Sequence, residues 1–267
     1  VNKVVLITGA SSGIGKALAI EFAKNKYDLS LCARNLNALH EVASLCQNYG
    51  VTCEIFSADV SKKEDCYNFV LNSVKKFKRI DVLINNAGIS MRALFQDCDL
   101  EDFEKVMKIN FCGTVYCTKF ALPYILENQG HIIGISSIAG YRGVPGRTGY
   151  SASKFAMNGF LESLRTELLY SGVHVMTVAP GFTASNIRNT ALDGKGNPQK
   201  ETPLDESKIM SAETCAQLIF KAFQKRKKNL ILTTQGKLTV FLNKLFPFWM
   251  DKMVYKHFKN EPNSPLK

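Results

Sequence analysis

Residues 4–15 read Val4-Val5-Leu6-Ile7-Thr8-Gly9-Ala10-Ser11-Ser12-Gly13-Ile14-Gly15. A short apolar run enters a Gly-rich turn, and an amphipathic stretch, residues 15–24, follows it. The run predicts a buried strand and the stretch a helix. Glycines let the backbone come close to a ligand, and a helix N-terminus presents free N–H groups and a positive dipole end. A strand, turn and helix in this order therefore suit a diphosphate. The spacing is G-x-x-x-G-x-G, not the commoner G-x-G-x-x-G. Taken alone, the turn is weak evidence, because a tight strand–helix connection with no ligand is the competing reading.

The alternation continues along the chain. Strands are expected at residues 4–7, 29–33, 53–57, 82–84, 131–136, 174–178 and 230–233. Helices are expected between them, including a long apolar one over 111–126 and another over 150–170. Seven strands separated by helices predict an α/β fold: one Rossmann-like, doubly wound parallel sheet covered on both faces. The domain is expected to span residues 1–235, with a helical extension over 236–267. The long polar stretch 181–211 is expected to be a substrate loop or lid.

Composition narrows the class. Hydrophobic residues make up 46% of the chain and charged residues 21%, which excludes a disordered or coiled-coil protein. No apolar run is long enough to span a bilayer. No signal peptide is expected, because Val1 stands three residues ahead of the first strand; the missing initiator Met leaves room for an upstream segment. Eight cysteines without a C-x-x-C pair suit reduced thiols and a cytoplasmic protein. Four dispersed histidines give no metal-ligand spacing, and no metal is expected. The net charge of +11 is scattered over the chain, so nucleic acid is not an expected partner.

Four further features follow the Gly-rich turn in order. They are Asn85-Asn86-Ala87-Gly88 after the fourth strand, Asn110 in the long helix, Ser137 after the fifth strand, and Tyr150-Ser151-Ala152-Ser153-Lys154. A Tyr-x-x-x-Lys pair alone means little in a chain with nine tyrosines, and a second occurs at Tyr255 and Lys259. Only Tyr150 has a serine thirteen residues upstream and the other two motifs in place. Together these features resemble the short-chain dehydrogenase/reductase family over residues 3–233.

The resemblance implies a nicotinamide-dependent interconversion of carbonyl and alcohol. Tyr150 would be the general acid or base, and Ser137 would hold the substrate oxygen. Lys154 would lower the pKa of Tyr150 and bind the nicotinamide ribose. Asn110 would hold a water that links Lys154 to solvent. The residue types suit this chemistry: a free phenol, with a pKa of about 10, needs a nearby cation to work near neutrality. Four residues apart on a helix, Tyr150 and Lys154 share a face.

In the same pattern, Gly9, Ser11, Ser12, Gly13, Ile14 and Gly15 would cradle the diphosphate. Asp59 and Val60 would contact the adenine. Asn86, Ala87 and Gly88 would lie beside the adenosine ribose, and Pro180 and Gly181 beside the nicotinamide. Thr183 and Ser185 depart from the usual residues of that loop, but both keep a hydroxyl. Cofactor choice turns on the end of the second strand, where a carboxylate would bind the ribose 2′-hydroxyl of NAD. Here the chain reads Ala33-Arg34-Asn35, without an acid. The fork of Arg34, with Asn35, Ser11 and Ser12, suits a 2′-phosphate, so NADP(H) is expected.

The substrate is expected to be a small-molecule carbonyl or alcohol of medium to large apolar surface, lined by residues 89–92, 138–145 and 182–192. The tail alternates apolar residues with Lys237, Lys244, Lys252, Lys256 and Lys259, and Pro247 should divide it into two helices. Such a basic amphipathic tail reads either as peripheral membrane contact or as packing on the domain or across a dimer interface. It resembles the tails of the branch containing corticosteroid 11-beta-dehydrogenase, which implies a lipid- or steroid-like substrate. The family resemblance also implies a homodimer or homotetramer. Two other readings stay open. One is a 3-oxoacyl thioester reductase; the other is a dinucleotide-sensing protein without turnover, against which Tyr150 and Lys154 stand.

Overall fold

The computed structural model describes residues 2–200, 202 and 209–266. The expected loop at 181–211 thus has residues 201 and 203–208 outside the described part. Seven strands form one sheet: β1 (Val4–Thr8), β2 (Asp28–Ala33), β3 (Cys53–Ser57), β4 (Val82–Asn85), β5 (His131–Ile135), β6 (His174–Ala179) and β7 (Asn229–Ile231). Their order is β3-β2-β1-β4-β5-β6-β7, and every neighbouring pair is parallel. The chain winds outward from β1 in one direction and from β4 in the other. That reversal opens a crevice at the carboxyl ends of β1 and β4.

Both faces of the sheet are covered, which is why β1 and β6 are buried along their whole length. Helices α1 (Gly13–Lys24) and α2 (Leu36–Gln47) lie on one face with a later helix, α7 (Ala212–Gln224). Phe22 of α1 meets Phe220 of α7 edge-on, with ring centroids 4.9 Å apart. The other face carries α3 (Lys63–Phe77), α5 (Gly113–Glu127) and α6 (Thr148–Glu167), which bury Phe69, Ile125 and Leu161. Burying one such side chain contributes roughly 1.5–3 kcal/mol.

Two expected helices are corrected. The helix read over 111–126 begins at Gly113, and a π-helical turn, Lys108–Cys112, joins it to α4 (Leu100–Met107). Asn110 therefore sits in the π turn. Such turns insert one residue and re-aim the side chains around it, and they leave no mark on apolar periodicity. The helix read over 150–170 spans Thr148–Glu167, and Gly172, at φ +80°, carries the chain around toward β6. The tail divides at Pro247 as read, into α8 (Thr234–Leu245) and α9 (Pro247–Lys259). Thr233 caps α8 by accepting the Gly236 N–H at 3.0 Å.

At the amino ends of β5 and β6, His131 and His174 face each other with ring centroids 5.3 Å apart. Burial, His174, Arg226 and Lys3 push His131 down to about 4, opposed only by Asp81. Burial likewise lowers His174. In the unfolded chain both imidazoles protonate near 6.5. Between these limits the unfolded state binds more protons, so stability falls as pH drops from above 6.5 toward 4. The urea midpoint is expected to be lower at pH 5 than at pH 7.5, with a shallower drop in His131→Leu. An equal drop in that variant would remove His131 from the account.

Candidate active site

The Gly-rich turn leaves β1 at the reversal point. Gly9 has φ +65°, and a Cβ there would stand 2.8 Å from the Cα of Ala87. A Cβ on Gly15 would stand 2.3 Å from the carbonyl oxygen of Gly9. Only glycine allows this close crossing of two loops. Asn86 fastens it: its side-chain amide donates to the carbonyls of Thr8 (2.9 Å) and Gly9 (3.0 Å). The hydroxyl of Thr8 accepts the N–H groups of Asn86 and Ala87, both at 3.0 Å. No side chain caps α1, and its first turn holds no acidic residue. Its first N–H groups therefore point into the crevice as an anion cradle.

One cavity of about 970 Å³ runs from this cradle to the tail. Its walls include Gly9, Ser11, Ser12, Gly13, Ile14, Gly15, Arg34, Asn35, Asp59, Val60, Asn86, Ala87 and Gly88 at one end. Ser137, Tyr150, Lys154, Pro180, Gly181, Thr183 and Ser185 line it further along. The residues read from sequence thus meet in one place, with one exception. Asn110 lies wholly buried beneath the cavity. Its side chain accepts the Ile89 N–H at 2.8 Å and donates to the Ile89 carbonyl and the Ser153 hydroxyl, both at 2.9 Å. Its amide is thereby committed to tying the loop after β4 to α6.

Local structure sets each polar group. Ser137, just past β5, accepts the Ala139 N–H at 3.1 Å and lines the same cavity as Tyr150, where its hydroxyl favours the phenolate. Tyr150 lies in the first turn of α6, and Lys154 lies one turn on. The Lys154 ammonium donates to the Ile135 carbonyl at 2.8 Å and stands 5.7 Å from the centre of the Tyr150 ring. Burial pulls Lys154 down to about 8. Burial also pushes Tyr150 above its usual value, against the lowering effects of the Ser137 hydroxyl and of Arg147 and Arg188. This corrects the sequence reading in two respects. The net shift of Tyr150 is upward, because desolvation of a phenolate outweighs its neighbours. The cations that act on it most are arginines outside the Tyr-x-x-x-Lys pair.

At the far end of β2, Arg34 is exposed and Asn35 caps α2 by accepting the Ala38 N–H at 3.1 Å. Asp59 feels burial first, but Ser61, Arg34 and Lys62 outweigh it and hold the carboxyl below its ordinary range. The cradle and this guanidinium form a donor set that fits a dinucleotide diphosphate and a further phosphate.

The substrate walls differ from expectation in part. Ile89 and Ser90 line the cavity, but Met91 is buried against Val106 and Leu192, and Arg92 turns toward the tail. The tail itself closes one end: Leu242, Trp249, Met250, Met253, Val254 and His257 face the cavity. Arg142 holds both tail helices, donating to Asn243 at 3.0 Å and to Asp251. Arg142 and Arg188 belong to the expected walls 138–145 and 182–192. Sequence reasoning missed Arg147 and Glu261. Arg147 precedes Tyr150 by three residues and was in reach of a helix-spacing argument; Glu261, 111 residues from Tyr150, was not.

The doubly wound sheet and its crevice define a dinucleotide-binding class of α/β protein. The family model "short chain dehydrogenase" matches residues 3–196. The chain belongs to the short-chain dehydrogenase family of oxidoreductases, with relatives of the 11-beta-hydroxysteroid dehydrogenase type. It is 35% identical to 11-beta-hydroxysteroid dehydrogenase A of Arachis hypogaea, covering 98% of this chain and 78% of that protein. It is 35% identical to dehydrogenase/reductase SDR family member 7 of Homo sapiens, covering 97% and 80%. An alcohol dehydrogenase from Thermococcus sibiricus, solved with 5-hydroxy-NADP, superposes with a TM-score of 0.74 at 26% identity, covering 87% of this chain and 96% of that one.

Proposed function

We propose that the protein is an NADP(H)-dependent oxidoreductase that interconverts a lipophilic ketone or aldehyde with its alcohol. The observation that carries this reading is the meeting of Ser137, Tyr150 and Lys154 in one cavity with the anion cradle. Residues 9–15 would hold the diphosphate, Asp59 and Val60 the adenine, Asn86 to Gly88 the ribose, and Pro180, Gly181, Thr183 and Ser185 the nicotinamide side. Arg34 would pair with a 2′-phosphate. The nicotinamide, when bound, supplies the hydride for the carbonyl carbon or accepts it from the alcohol.

The chain's own residues handle the proton. Ser137 donates a hydrogen bond to the substrate oxygen. Tyr150 gives its phenolic proton to the developing alkoxide, or takes it back in the reverse direction. Lys154, one turn away, favours the phenolate left behind and holds the ribose. Asn110 keeps the β4 loop and α6 in register beneath them.

The apolar tail residues facing the cavity support a lipophilic substrate, as do relatives named for hydroxysteroids. No helix among the described residues is long and apolar enough to cross a membrane. Phe241, Leu245 and Phe248 are nevertheless exposed on the outer side of the tail, and Lys244 and Lys252 are exposed near them. That side suits the interface of an anionic bilayer. Phe155 and Leu169, exposed on and just beyond α6, suit self-association.

A turnover panel tests the substrate class, running from small polar ketones through 3-oxoacyl thioesters to long-chain ketones and ketosteroids. NADPH-dependent kcat/KM is expected to rise with apolar area. A maximum at small polar ketones would overturn the lipophilic assignment.

A further inference from the structure

Three arginines of the core grip the tail, and two of them share one carboxylate. Glu261 follows α9, and its side chain is 5% exposed. Its Oε2 lies 3.4 Å from a guanidinium nitrogen of Arg92 and 3.4 Å from one of Arg147. Arg92 also donates to the Pro262 carbonyl at 2.7 Å. The Arg147 guanidinium sits 4.9 Å from the centre of the Phe258 ring, again on the tail. Gly146, at φ +71°, brings the chain so close that a Cβ there would stand 3.1 Å from Pro265. The last residues of the tail thus dock on the segment that opens α6, one turn before Tyr150.

Charge makes this contact more than packing. A buried arginine without a counter-ion is costly, and removing one partner of such a cluster leaves the others unbalanced. Arg147 is the N-cap residue of the helix whose first turn carries Tyr150, lines the same cavity, and by its charge favours the Tyr150 phenolate; Glu261 pairs with it. The groups facing Tyr150 come from four places: Ser137 past β5, Arg147 at the N-cap of α6 with Lys154 within it, Arg188 of the loop after β6, and Glu261 of the tail through Arg147. Glu261 is the acid of this set.

Resting on the proposed role of Tyr150, we propose that Glu261 is a positioning residue through which the docked tail sets the working pH of the active site. It holds Arg147 in place and balances its charge beside the phenol. Removing that balance leaves more positive charge near Tyr150 and favours the phenolate. Removing Arg147 instead leaves Glu261 with Arg92 and disfavours it.

The test is the pH dependence of kcat/KM for alcohol oxidation in the full chain, where activity rises as Tyr150 loses its proton. In Glu261→Gln the rising limb is expected to move to lower pH by roughly half a pH unit or more. In Arg147→Gln it moves to higher pH. The double variant returns it near the wild-type position, and Glu261→Asp retains it. A Glu261→Gln enzyme with reduced kcat but an unmoved limb would overturn the proposal and leave Glu261 a packing residue. If Glu261→Gln fails to fold, opposite movement in Arg147→Gln and return in the double variant decide the matter; no movement in either overturns it. Tyr150→Phe separates the two levels: activity persisting in that variant refutes the role of Tyr150 itself, independently of Glu261.

Discussion

Tyr150→Phe is expected to lower kcat by on the order of 10²–10⁴-fold, the range general acid–base catalysis supplies. NADPH binding should change little, because the substitution removes one hydroxyl and keeps the ring. The hydroxyl it removes shares the cavity with Ser137 and is the group whose ionised form Arg147 and Arg188 favour. Stopped-flow reduction of a good substrate reads the rate, and titration of NADPH fluorescence reads the binding. A variant that turns over at the wild-type rate would dismiss the phenol as proton donor. A variant that loses NADPH binding as well would show that the change disturbed α6 rather than the chemistry. Lys154 strengthens the expectation: burial holds its ammonium near 8, so it remains charged at neutral pH beside the Tyr150 ring.

The second large effect concerns Arg34. In Arg34→Asp, NADPH affinity is expected to fall about 10- to 100-fold, because a charge-assisted hydrogen bond contributes about 1.5–3 kcal/mol. NADH should bind better, since a carboxylate at the end of β2 can accept from a ribose 2′-hydroxyl. Position 34 is exposed, so the change should leave stability near its wild-type value. Dissociation constants for both cofactors, measured side by side, check the argument. An unchanged ratio of the two would show that Arg34 does not read the phosphate. The proximity of Asp59 sharpens the case: with Arg34 gone, its carboxylate loses a cation and repels the 2′-phosphate further.

Much of the fold was legible because a parallel sheet buried on both faces writes its strands as short apolar runs. β1 reads Val-Val-Leu-Ile-Thr and is buried throughout; β3 was read to the residue. The candidate site was legible for a related reason. The sheet sends its carboxyl ends to one crevice, so residues that follow β1, β4, β5 and β6 must meet there. Ser137, Asn86 and Pro180 stand within two residues of the ends of their strands and line the cavity. Asn110 did not follow a strand, and the π turn that positions it changes no residue pattern. The tail was legible as two helices, since proline and apolar spacing are local signals. Where it docks depends on Arg92, Arg142 and Arg147, and long-range ion pairs leave no periodic trace. The upward shift of Tyr150 was missed for a like reason: spacing reveals a neighbouring lysine, but burial is a property of the assembled cavity.

The central claim is that this cavity transfers hydride between NADPH and a carbonyl carbon with Tyr150 handling the proton. The most direct measurement supplies NADPH deuterated at the transferring position, together with a long-chain ketone or ketosteroid. The alcohol product is then examined by mass spectrometry. The account predicts one deuterium on the carbinol carbon with the wild-type chain and no alcohol above background with Tyr150→Phe. Tight NADPH binding with no labelled alcohol from any ketone of the panel would contradict it, and would make the chain a dinucleotide-binding protein without turnover.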